Sequence, residues 1–138
     1  MHNLFIVWNH GYETGITILD EQYRGLVSLI NSFFFHREDR YNDIYKILVP
    51  TAEMFKSYAK INFSTIEKLM KDSEYPELKK YKLIHEEILH DINIMDAKYR
   101  KNGDAEGFLE YLKEYWLETV KHHGQQYLDY LVVHFGKK

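Results

Sequence analysis

At 138 residues with 45% hydrophobic content, the chain has the size of one ordinary domain and enough apolar side chains for a core that needs no metal or disulfide. Its 18 basic and 21 acidic residues give a formal charge of −3 with no basic block to neutralise a run of phosphates, so nucleic acid is not an expected partner. Zero cysteines exclude disulfides, thiolate metal sites and a cysteine nucleophile, and the absence of a long apolar run or a basic-then-apolar leader predicts a cytoplasmic chain without membrane insertion.

Apolar residues recur at steps of three and four rather than alternating, which predicts an all-α protein. Residues 1–18, with Trp8, Gly11 and Gly15 among polar neighbours, read as an irregular arm lying on a bundle. The first helix starts at Leu19 and places Tyr23, Leu26, Val27, Ile30, Phe33 and Phe34 on one face. A charged patch from His36 to Arg40 makes the turn. The second helix runs from about Tyr41 to Met70 with Ile44, Ile47, Leu48, Thr51, Phe55, Tyr58, Asn62, Ile66 and Leu69 on its stripe, and Pro50 is expected to kink it.

Pro76 is the expected first residue of a third helix, whose stripe is Leu78, Tyr81, His85, Ile88, Ile92, Met95 and Tyr99. Asn102-Gly103 closes it, and Asp104 caps a fourth helix with Leu109, Leu112, Trp116, Val120 and His123 inward. Gly124 is expected to end or bend that helix, with Tyr127, Tyr130, Leu131 and His134 on an extension or a short fifth helix. Four long amphipathic helices with short joins predict an up-down-up-down antiparallel four-helix bundle. The whole, residues 1–138, reads as one domain: arm 1–18, bundle 19–123, extension 124–138.

Three stretches carry a resemblance. The arm and first helix hold Val7-Trp8, Gly15-Ile16 and Leu19-Asp20-Glu21-Gln22; the second helix holds Tyr58, Phe63, Glu67, Leu69-Met70 and then Tyr75-Pro76; the fourth holds Trp116-Leu117. Together they resemble the bacterial hemerythrin family across essentially the whole chain. That resemblance implies a bundle around two irons bridged by two carboxylates and held by five histidines. It places the seven ligand positions at Tyr23, Asn62, Ile66, Tyr81, His85, Val120 and Gln125. Only His85 keeps a ligand's residue type, and the two bridging positions hold Ile66 and Gln125. Two ferric ions at bridging distance need anionic oxygen between them, which neither residue supplies. No cofactor is therefore expected, with Tyr23 and Tyr81 refilling the pocket and Asn62, His85 and Gln125 satisfying their hydroxyls in one hydrogen-bonded cluster.

Two other uses of the pocket stay open. Tyr81, His85 and Tyr23 would make a mononuclear ferric site of phenolate and imidazole, or His123 would join His85 across the third and fourth helices, with iron as cofactor in either case. A small-molecule sensor would require a cavity that Tyr23 and Tyr81 are expected to close. Glu86-Glu87 and His122-His123 do not make a catalytic pair, because consecutive helical residues diverge by about 100°. With no phosphate-binding loop or nucleophile elbow, no enzymatic activity is expected.

The Phe33-Phe34-Phe35 run cannot all face one side of a helix. Phe35 with Tyr127, Tyr130 and Phe135 is the expected aromatic patch for a protein partner or a homo-oligomer, unless the arm and C-terminal segment cover it. The functional expectation is a structural or adaptor protein, and the resemblance adds signalling, chemotaxis or motility assemblies as its setting.

Overall fold

The computed structural model describes residues 5–37 and 44–136. The helices are α1 (Thr17–His36), α2 (Ile44–Asp72), α3 (Leu78–Asn102), α4 (Ala105–Tyr115) and α5 (Gly124–Phe135), with a π-helical stretch at Trp116–His123 joining the last two. Tyr115, Trp116, His123 and Gly124 all have right-handed helical angles, so α4, the π stretch and α5 form one unbroken rod. No strand occurs among the described residues.

Cross-helix contacts fix the topology. Gln22 meets Thr65, Glu67 meets His85 and Lys56 meets Asp96, so residue numbers rise on one helix as they fall on the next. Tyr81 against Tyr127 and Tyr99 against Phe108 set α3 antiparallel to the last rod, and Arg37 to Glu106 closes the ring between α1 and α4. The result is the up-down-up-down bundle that the periodicity predicts. The core takes Leu19, Leu26, Ile30 and Phe33 from α1; Leu48, Phe55, Phe63 and Ile66 from α2; Ile92 and Tyr99 from α3; Leu109, Leu112 and Trp116 from the last rod. The turn from His36 lies partly outside the described residues, as do the predicted start near Tyr41 and the side chains of Ile44 and Ile47.

The arm is tied down residue by residue. Asn31 Oδ1 accepts from the Ile6 amide at 2.8 Å while Asn31 Nδ2 donates to the Ile6 carbonyl at 2.8 Å. Asp20 Oδ1 accepts from the Thr14 amide at 2.7 Å and from its hydroxyl at 2.8 Å, which draws the helix start back to Thr17 rather than Leu19. Trp8 and Tyr12 pack on Trp116.

Two points differ from the sequence expectation, at Pro76 and at Gly124, while α2 contains Pro50 as expected. Pro76 lies in the turn rather than in the helix, because Glu74 adopts a left-handed φ of 57° and the chain completes that turn before α3 begins at Leu78. α2 runs through Pro50 as one helix. Gly124 neither ends nor bends the rod: its angles are φ −56° and ψ −41°, and it is buried close to Leu128. The irregularity sits just before it, in wider turns that change the rotational phase of everything following.

Candidate functional site: the tyrosine-filled core

Six of the seven positions singled out above are buried in the bundle: Tyr23, Asn62, Ile66, Tyr81, His85 and Val120. Gln125 is not among them. It is exposed, one residue out of phase, and Tyr127 turns inward with only 1% of its surface accessible. Tyr127 continues the stripe of Trp116 and Val120, and Gln125 falls off it.

The buried polar groups do not form one network. Asn62 Nδ2 donates to Gln22 Oε1 at 2.9 Å, and Gln22 Nε2 donates to Thr65 Oγ1 at 2.9 Å, a chain that leads sideways to the α1–α2 groove. His85 pairs through Nδ1 with Glu67 Oε2 at 2.8 Å, and its ring lies flat on Phe63 with centroids 4.1 Å apart. Burial pushes the His85 pKa below its ordinary value; Glu67 opposes that shift, and nearby His123 adds to it. The Tyr81 hydroxyl donates to Gln126 Oε1. The expected single cluster fails because each helix edge offers a nearer partner than the core centre does.

What fills the centre is a set of phenols from three helices. The Tyr127 ring packs edge-on against Tyr81 at 5.1 Å, and Tyr23 packs edge-on against Trp116 at 6.1 Å. The Tyr23 hydroxyl lies beside that of Tyr127 but makes no well-aligned hydrogen bond, and burial pushes its pKa up to about 12. Burial likewise holds Tyr115 and Tyr127 well above the ordinary phenol range. Tyr115 Oη, Trp116 Nε1 and His123 Nδ1 are also buried without a hydrogen-bond partner.

These donors do not fit a di-iron centre. At the two positions where the resemblance puts bridging carboxylates, Ile66 presents only apolar carbon and Gln125 is exposed. Among the described residues no group of three or more His, Asp or Glu side chains is placed to hold a metal ion. A cleft of about 100 Å³ lies between the arm and the last rod, lined by Tyr12, Thr14, Tyr23, Val120, Gln125 and Leu128.

The expected aromatic patch is not assembled. Tyr127 is core, and Tyr130 is half-buried, its hydroxyl donating to the Ser73 carbonyl at 2.5 Å while its ring packs on Tyr75. Phe35 is 58% exposed and Phe135 37% exposed, but they lie at opposite ends of the bundle. Arg37 beside Phe35 contacts the start of α4, whereas Tyr130 on α5 contacts the end of α2. Phe33 is buried and Phe34 half-buried under Phe5, so the aromatic run divides as helical geometry requires.

Sequence reasoning missed Tyr115 and Gln126, and it named Glu67 only in the resemblance, without its pairing to His85. Tyr127 had a visible signal in the spacing Val120, Tyr127, Leu131, which continues the stripe through Gly124. No described helix is long and apolar enough to cross a membrane.

The chain matches no protein-family model. It is similar to the bacteriohemerythrin of Clostridium acetobutylicum, 24% identical over 127 residues that cover 89% of this chain and 98% of that one. The bacteriohemerythrin of Pseudomonas aeruginosa is 25% identical over 126 residues, 90% of this chain and 80% of the relative. That of Stenotrophomonas maltophilia is 21% identical over 134 residues, 96% and 85% of the two chains. With near-complete coverage by these relatives and an antiparallel ring of helices, the chain is a distant bacteriohemerythrin-like protein.

Proposed function

We propose that this hemerythrin-like chain works without metal, as a single-domain structural or adaptor protein whose helical surface, rather than its core, meets a protein partner in the cytoplasm. The observation that carries the reading is Ile66, buried to 1% exposure at the position where the resemblance puts a bridging carboxylate. Burying that side chain contributes about 1.5–3 kcal/mol to a dry core, a gain that is forfeited if the site is to hold charged irons. The other polar groups support it: the Asn62 amide and the His85 imidazole are each engaged by a neighbour, Gln22 and Glu67 respectively. Among the described core residues no acid, base and nucleophile are assembled together, and the proposed role is not a catalytic one. By the family resemblance, a signalling, chemotaxis or motility assembly is the setting.

The test is metal analysis of protein purified from its native cell without added iron, with thermal melts before and after chelation on the same preparation. A ligand that binds only the native state raises the melting point, so a melt indifferent to chelator is the expected result. Stoichiometric iron, or a chelator-induced drop in melting temperature, would sink the metal-free reading in favour of iron held by unorthodox ligands around Tyr81 and His85.

A further inference from the structure

The cleft between the arm and the last rod joins three parts of the chain: Tyr12 and Thr14 come from the arm, Tyr23 from α1, and Val120, Lys121 and Gln125 from the rod. Tyr23 and Val120 are buried and form its floor, while Lys121 and Gln125 are exposed at its mouth. Two of these groups have capacity to spare. The Tyr23 hydroxyl is buried without an aligned hydrogen-bond partner, and a hydroxyl proton rotates to suit an acceptor. Lys121 makes no ion pair among the described residues and holds its ammonium 5.6 Å from the centre of the Tyr12 ring. Glu13, which also borders the cleft, is already engaged by Arg24 and His10, each at 3.1 Å, so the charge left at the mouth is positive.

We infer that this cleft binds a small organic carboxylate, whose oxygens accept from the Tyr23 hydroxyl and face the Lys121 ammonium while its short chain lies on Val120, Leu128 and the Tyr12 ring. Size limits the class. A cavity of about 150 Å³ holds benzene, so one of about 100 Å³ suits roughly four or five heavy atoms, the size of acetate or propionate. Charge and hydrogen bonding limit it further. A cation would be repelled by Lys121, and a hydrocarbon would leave the Tyr23 hydroxyl unpaired. A carboxylate meets both groups, because a charged acceptor makes the stronger hydrogen bond. An inorganic anion would use the charge but not the apolar walls. Because the ligand touches arm and rod together, its binding also ties the arm down. The inference goes beyond the metal-free adaptor reading without resting on it: a chain that binds no carboxylate would leave that reading intact.

Titration of the full chain with sodium propionate at constant ionic strength, followed by amide NMR shifts, should give saturable changes confined to the arm around Thr14 and the rod around Lys121 and Gln125. Propionamide has the same shape without the charge and should bind about tenfold more weakly or worse. Tyr23→Phe keeps the ring on Trp116 and removes only the donor, so it should weaken propionate by about tenfold while the melting temperature does not fall. Lys121→Met, at an exposed position, should weaken it by about threefold, as befits a partly screened charge. The absence of saturable shifts, propionamide or inorganic phosphate binding as tightly as propionate, or a Tyr23→Phe variant with the parent's affinity would overturn the inference.

Discussion

Where α1 finishes and α4 begins, Phe33 packs against Tyr99 at 5.6 Å and against Phe108 at 5.1 Å, and even the buried carboxylate of Asp96 is engaged, by Lys56 at 3.1 Å and by Arg100. Toward the other end, Tyr23, Tyr115, Trp116 and His123 bury polar atoms that find no partner, and the helix that carries three of them widens into π turns. The first region is an ordinary core in which shape and hydrogen bonding are both satisfied. In the second, large side chains fill the space between the helices, while part of the hydrogen-bonding capacity they bring is unmet. Volume is easier to restore than polar complementarity, because any large side chain fills space but a donor needs an acceptor in one place.

The strongest test of this contrast lies in the satisfied region. Phe33→Ala should cost about 4 kcal/mol, the usual range for deleting a buried phenyl ring, and denaturant unfolding would measure it. A loss below about 1 kcal/mol would mean that this end does not carry the bundle.

Next in size is Ile66→Glu. An isolated carboxylate among buried apolar groups raises its pKa by two units or more, a loss of about 3 kcal/mol at neutral pH. An acid whose folded pKa lies above its unfolded value destabilises at high pH, so the loss should fade as pH falls toward 4. A melt unchanged at neutral pH would show that water already reaches this point of the core.

The same linkage predicts how the parent protein fails in base. Tyr23 ionises at about 12 in the fold against 10.0 unfolded, so its contribution is fully present below pH 10 and disappears as pH rises to about 12. A shift of this size is worth about 2–3 kcal/mol, and Tyr115 and Tyr127 shift in the same direction. Absorbance at the phenolate band and helical dichroism should therefore change together above pH 10. Phenolate formation complete while the helices persist would place these hydroxyls in water.

Much of this was legible in the sequence. The stripe residues Leu19, Phe55, Tyr81 and Leu112 are core because a period of 3.6 fixes which face of a helix is dry. The spacing of Ile66, Tyr81 and His85 put all three inside the bundle because they lie on α-helices without irregularity. The resemblance, and not periodicity, puts Gln125 in the pocket, whereas the stripe Val120, Tyr127, Leu131 already points to Tyr127, which the fold buries while it exposes Gln125. Gly124 resembles a helix end; in the fold its missing side chain makes room for Leu128. The pairing of Glu67 with His85 depends on the relative register of two helices, which neither helix encodes alone.

The smallest expected effect is the most diagnostic. Tyr23→Phe removes one hydroxyl and leaves the ring on Trp116 in place. In a satisfied core that deletion costs stability, because a hydrogen bond is lost and its partner is stranded. Here the hydroxyl has no aligned partner, so removing it relieves a desolvation penalty at the expense only of its loose contact with Tyr127. The variant should be more stable by about 1 kcal/mol, which for a domain of this size raises the melting temperature by roughly 3 °C. The sign carries the argument: a drop of similar size would mean that Tyr23 and Tyr127 share a working hydrogen bond, and the two ends of the bundle would then differ in composition but not in how well their polar groups are met.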